Sequence, residues 1–152
     1  MIEASVVLAQ PTGTGRQFVV TTGSGHHLLV DDAVGATGPK PIELVAAALA
    51  GCTAFDVINI LRKKRQSVTA YEVYVEADQV SEPPQVFTKV RIRHIITGVN
   101  VHREAVSNAI HLSETKYCSV GAMLQKTAEF ATSFEIIPAE VAELVAAGVR
   151  GQ

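Results

Sequence analysis

Residues 42–65 contain no proline and a single glycine, and their apolar side chains fall at nearly every helical phase. Strands of that length are rare, whereas about six turns of helix accommodate it well. Pro41 suits a first helical position and Glu43 a first turn, and Arg62, Lys63, Lys64 and Arg65 suit the C-terminal end of the helix dipole. One helix over 41–65 is therefore expected. Because Ile42, Leu44, Val45, Leu49, Phe55, Val57, Ile58, Ile60 and Leu61 surround its axis, it must be packed on several sides, as a central helix is. Ala46, Ala47, Ala48, Ala50 and Gly51 let another backbone approach closely. In a chain of 152 residues, a partner subunit could supply part of the cover.

The flanks read as strands and shorter helices. Residues 2–10, 17–22 and 26–31 are short β-branched or apolar runs separated by Gly-rich turns at 12–15 and 23–25, a three-stranded antiparallel meander. Residues 68–78 and 86–97 alternate and form a hairpin around Pro83-Pro84, with Lys89, Arg91 and Arg93 on one side. Residues 101–117 read as a helix, 119–127 as a short helix, 130–137 as a last strand and 139–148 as a small tail helix. The order βββ-α-ββ-α-α-β defines an α+β chain. It is expected to be a single domain over 1–152: meander and loop (1–40), central helix (41–65) and the remainder (66–152).

Composition narrows the function. Apolar residues make up 47% of the chain, which excludes disorder as a description of the whole. The net charge of −2, with no large basic block, disfavours nucleic acid as a partner. No secretory leader is visible at Met1, and the apolar run from Leu44 reads as too short and too polar for a membrane span. A cytoplasmic location is expected. No CxxC or Cys/His cluster at zinc spacing occurs, so neither a metal nor a cofactor is expected.

Two cysteines remain, Cys52 and Cys118, 66 residues apart. In a reducing compartment a structural disulfide is uncommon, and the plain reading is two buried free thiols. An enclosed mid-helix position disfavours an ionised Cys52, so any reactivity there requires a cation from elsewhere. Cys118 opens a short helix, where amide groups favour a thiolate. Such asymmetry suits an attacking thiol paired with a resolving one, though spacing does not show that they meet. Glu43 lies nine residues before Cys52, on the opposite side of a shared helix at about 100° per residue, and reads first as a dipole partner. Asp56, one turn after Cys52, can share its face and there opposes a thiolate unless it is itself satisfied. His26, His27 and His94 sit in strand patterns and are expected to be solvated. His102 and His111 stand on opposed sides of one helix, so they form no metal pair.

The stretch Gly38-Pro39-Lys40-Pro41-Ile42-Glu43-Leu44-Val45-Ala46-Ala47-Ala48-Leu49-Ala50-Gly51-Cys52 resembles the central-helix motif of the OsmC/Ohr family, and Lys116-Tyr117-Cys118-Ser119-Val120 resembles its second cysteine motif. The element order matches over residues 1–140. The resemblance implies an OsmC-like fold in which antiparallel sheets wrap long central helices in an intertwined homodimer. It implies a peroxidatic Cys52 and a resolving Cys118. Arg16, in Thr14-Gly15-Arg16-Gln17, is implied as the cation supporting the thiolate. The implied activity is a cysteine-based organic hydroperoxide reductase, recycled through a Cys52–Cys118 disulfide by an external dithiol of the lipoyl type. Family peroxidases carry an arginine-holding carboxylate ten residues before the cysteine. This chain has Ile42 there and Glu43 next to it, and either Glu43 or Asp56 can take that part. The alternative function is a non-catalytic stress protein that binds a small apolar or electrophilic ligand at the dimer interface.

Overall fold

The computed structural model describes residues 1–9 and 15–143. Residues 12–14 of the predicted turn at 12–15, and the tail helix beyond residue 143, lie outside them; residues 139–143 are helical, as expected. The chain forms two compact units, Met1–Val45 and Ala46–Gln152.

The first unit is the predicted antiparallel meander: β1 (Ala4–Leu8), β2 (Phe18–Thr22) and β3 (His27–Val30). Ala4 faces Thr22 and Phe18 faces Val30 across the two ladders. Gly25, at φ +82°, closes the β2–β3 turn in a backbone region that a side chain would disfavour. The loop after β3 is organised by two adjacent carboxylates. Asp31 accepts from its neighbour's N–H at 2.8 Å, from the Thr37 N–H at 3.2 Å and from the Thr37 hydroxyl. Asp32 accepts from the N–H groups of Val34 and Gly35, each at 2.9 Å.

Helix α1 (Pro41–Lys63) begins in this unit and continues into the second. Glu43 Oε2 accepts the Lys40 N–H at 2.8 Å, half of a capping box at the helix start. By length and composition alone α1 could cross a membrane, which corrects the reading of its apolar run as too short and too polar, because the helix extends well beyond that run. In the second unit it instead turns Leu49, Thr53, Val57 and Leu61 inward, a stripe of fourth residues along one face. Phe55, on another face, is exposed. The fully buried residues of α1 form one stripe, with Ile42, Leu44, Val45, Ile58 and Ile60 half-buried around it.

The second unit holds the hairpin of β4 (Ser67–Gln79) and β5 (Phe87–Val99), then α2 (Arg103–Leu112), a wide π-helical turn (Ser113–Tyr117), α3 (Ser119–Leu124) and β6 (Glu129–Pro138). Sheet order is β4-β5-β6. β6 runs parallel to β5, so this sheet is mixed and not antiparallel throughout, as was expected. Alternation in sequence fixes which face a residue takes but leaves strand direction open. The helical segment between β5 and β6 is the crossover that parallel pairing requires.

Along β5, Val90, Ile92, His94 and Ile96 point inward, alternating with Lys89, Arg91 and Arg93. Val57 and Leu61 of α1, Ile96 of β5 and Val106, Ala109 and Ile110 of α2 make the core. Burial of His94 corrects the expectation of a solvated ring, because its place in the period of two puts it on the core face. Tyr71 hydroxyl and His94 Nδ1 are 2.7 Å apart. Burial holds His94 down to about 4 and pushes Tyr71 well above its ordinary value, with the Asp56 charge adding to the rise. His26 and His27 are exposed, as expected.

Candidate functional site

Two structural devices bring the cysteines together in the second unit. Cys52 lies in the middle of α1 with Asp56 one turn further on. After α2 the chain does not continue as a regular helix to Tyr117. The wide turn accepts the Cys118 N–H on the Ser113 carbonyl at 2.9 Å, and Cys118 becomes the N-cap of α3. That extra width brings both Ser113 and Cys118 to α1. The Ser113 hydroxyl donates to Asp56 Oδ2 at 3.0 Å and stands 3.1 Å from Thr53 Oγ1. Donor atoms of Cys52, Asp56 and Cys118 all lie within 4.8 Å of one another.

Both thiols are free; Cys118 is buried and Cys52 half-buried. Within this chain Cys52 lies beside the fully buried stripe of α1 and not in it. Cys118 departs from expectation. Its Sγ accepts the Gly121 N–H at 3.3 Å, which favours the thiolate, yet burial pushes the thiol up to about 12 and hydrogen bonding to Cys52 and the charge of Asp56 add to the rise. Desolvation outweighs one amide because the sulfur gains a single donor and loses nearly all its water. Gly121 is closely fitted as well, since a Cβ there would stand 3.3 Å from Cys118 Sγ.

The other two site residues inferred from sequence find partners in the first unit. Arg16 Nε donates to Asp32 Oδ2 at 2.8 Å. Hydrogen bonds from Gly35 and Arg16 hold the Asp32 carboxyl below its ordinary range. The carboxylate on Arg16 is therefore Asp32, whereas Glu43 is taken up by Lys40 and Asp56 by Ser113. Sequence reasoning missed Asp32, Ser113 and Thr53. Thr53 carried a signal, its place in the stripe Leu49-Thr53-Val57-Leu61. Ser113, 57 residues from Asp56, carried none.

Asp56 also borders an open cavity of about 390 Å³ lined by Asn59, Ile60, Lys63, Lys64, Leu112 and Tyr117. A second cavity, of about 330 Å³, lies between α1 and β4 and is lined by Ala54, Phe55, Ile58 and Tyr71 among others.

A mixed α+β scaffold that juxtaposes a mid-helix cysteine and a helix-capping cysteine defines a two-cysteine thiol protein. The family model described as OsmC-like protein matches residues 34–133, and the chain belongs to that family. It is 39% identical over 125 residues to Protein YhfA of Escherichia coli strain K12, covering 82% of this chain and 93% of that protein. A crystal structure of a hypothetical protein from Aquifex aeolicus VF5 is similar at 25% identity and TM-score 0.79, over 91% of this chain and 97% of that one. The organic hydroperoxide resistance protein OsmC from Legionella pneumophila shares the fold at 18% identity and TM-score 0.63, over 89% of this chain and 96% of its own.

Proposed function

We propose that this protein is a thiol-dependent peroxidase of organic hydroperoxides. The observation that carries the reading is the meeting of Cys52 and Cys118, distant in sequence, within 4.8 Å and beside Asp56. In the reaction, the Cys52 thiolate attacks a peroxide oxygen. The O–O bond breaks, the alkoxide takes a proton and leaves as the alcohol, and Cys52 becomes a sulfenic acid. The Cys118 sulfur then displaces water from that sulfenic acid, giving a disulfide. An external dithiol, of the lipoyl type by the family resemblance, reduces it and is itself oxidised. Burial disfavours a Cys118 thiolate, so Cys118 does not compete with Cys52 for the peroxide, and it attacks the sulfenic acid only as its own proton leaves with the displaced water.

Arg16, steadied by Asp32, is proposed as the cation that favours the Cys52 thiolate. Glu43 contributes by fixing the start of the helix that carries Cys52. The peroxide-resistance name of the Legionella relative supports the same chemistry. Assembly as a homodimer and a cytoplasmic location belong to this reading, and Phe55 on an uncovered face of α1 fits a second copy as its cover. The cavity beside Phe55 favours a second reading, a module that binds an apolar ligand without turnover.

Consumption of cumene hydroperoxide by the reduced protein with dihydrolipoamide distinguishes the two. Wild type should turn over; Cys52→Ser should be inactive, and Cys118→Ser should react once per chain and stall. Wild-type protein that consumes no hydroperoxide refutes the peroxidase and leaves the binding module.

A further inference from the structure

Two sulfurs and a carboxylate that converge from separate elements form a donor set in their own right. We propose that Cys52, Asp56 and Cys118 bind a thiophilic divalent cation of the zinc class, with water in the fourth position. The donor atoms lie within 4.8 Å of one another. A tetrahedral zinc with bonds of about 2.3 Å to sulfur and about 2.0 Å to oxygen needs donor separations of roughly 3.5–3.8 Å. The present spacing closes onto an ion by about one ångström, within reach of rotamer adjustment.

The surroundings match what such an ion needs. Two sulfur donors out of three exclude calcium and magnesium, which take oxygen. Ser113, fully buried, donates to Asp56 Oδ2 and orients the carboxylate, the supporting role that outer hydrogen bonds play around metal ligands. The Gly121 N–H, at 3.3 Å from Cys118 Sγ, offers the same support to a thiolate ligand. On binding, the ion replaces any proton on either sulfur, which leaves to water, and no electron is transferred. Three anionic ligands against a divalent ion leave the site with one net negative charge. Because the first two ligands lie on α1 and the third caps α3, the ion would tie these helices together.

The site does not depend on the peroxidase reading, and it opposes it. The ion and the disulfide use the same sulfurs, so each excludes the other. Occupancy would shield both thiols from oxidation, and oxidation would release the ion.

Anaerobic titration of the reduced full chain with Co²⁺, a spectroscopic stand-in for Zn²⁺, tests the site without any peroxide. Expected are a thiolate-to-cobalt charge-transfer band and intense visible bands of a tetrahedral site, saturating at one ion per chain and bleached by Zn²⁺. Asp56→Asn should keep the thiolate band but weaken binding by roughly tenfold or more, and Cys52→Ser and Cys118→Ser should each diminish the band. Asp78→Asn, a surface carboxylate paired with Arg91, should bind as wild type. Should the cysteine variants fail to fold, alkylating the folded wild type with iodoacetamide should abolish binding. Absence of the charge-transfer band in wild type, survival of full binding after alkylation, or an Asp56→Asn affinity within twofold of wild type overturns the proposal. A chain that binds Co²⁺ but consumes no hydroperoxide refutes the peroxidase alone, and one that turns over but binds no Co²⁺ refutes the metal site alone.

Discussion

The sheets β1-β2-β3 and β4-β5-β6 each have three strands rich in β-branched or apolar residues, yet they use those residues differently. All five residues of β1 are exposed, whereas β5 buries Val90, Ile92, His94 and Ile96, the last packed with residues of α1 and α2. Alternating side chains become a core only where another element lies across one face. The first unit spends its order on polar contacts, with Asp31 and Asp32 gathering backbone amides into a loop. The second relies on apolar packing and buries the few polar groups, Thr53, His94, Thr97 and Ser113, that packing encloses.

That contrast can be broken first by core truncation. Leu61→Ala, at a fully buried position in the second unit, should cost about 2–5 kcal/mol of unfolding free energy, while Val6→Ala on exposed β1 should stay within about 0.5 kcal/mol. Urea denaturation of both variants reads the difference. Equal losses would mean that β1 is as well covered as the core.

Acid sharpens the same contrast. His94 is held down to about 4 from an ordinary 6.5, so on acidification the unfolded chain takes its proton first. The stability that neutral His94 provides is fully present above pH 6.5 and is lost as pH falls toward 4, in total about 3 kcal/mol. Urea midpoints measured from pH 7 to 4 should show this slope, and His94→Gln should flatten it. An unchanged slope in that variant would assign the acid sensitivity to another group.

A smaller and later acid effect belongs to the first unit. Asp31 and Asp32 are held below the ordinary carboxylate value, Asp31 chiefly by the Thr37 hydroxyl and Asp32 chiefly by the Gly35 N–H and Arg16. Their contribution is present above that value and is lost only as pH falls below it. Amide resonances of Val34, Gly35 and Thr37 should therefore move only below about pH 4. Movement of these amides near pH 6 would show that the loop is held by something other than the two carboxylates.

Much of the element order was legible because each element is specified locally. Pro41 and Glu43 mark the start of α1, Pro83-Pro84 interrupts the β4–β5 hairpin, and the alternation of Lys89, Arg91 and Arg93 marks β5. The same alternation, followed one residue further, would have put His94 inside. The parallel course of β6 and the wide turn at Ser113–Tyr117 were not legible, because neither strand direction nor a one-residue widening of a helix leaves a local signature. At the site, the cysteines and Asp56 could be singled out by type and by one-turn spacing. Their environment could not, since Ser113 reaches Asp56 across 57 residues and the burial of Cys118 depends on what α3 packs against.

The order of helices and strands, the central helix and the two thiols were thus determined by the sequence alone, because periodicity, caps and breakers act over a few residues. Tertiary structure alone decided that the thiols meet beside a carboxylate held by Ser113, that Asp32 takes Arg16 and that burial pushes the Cys118 thiol up. Those outcomes rest on desolvation and on contacts between segments far apart in the chain, and both exist only once the chain has folded.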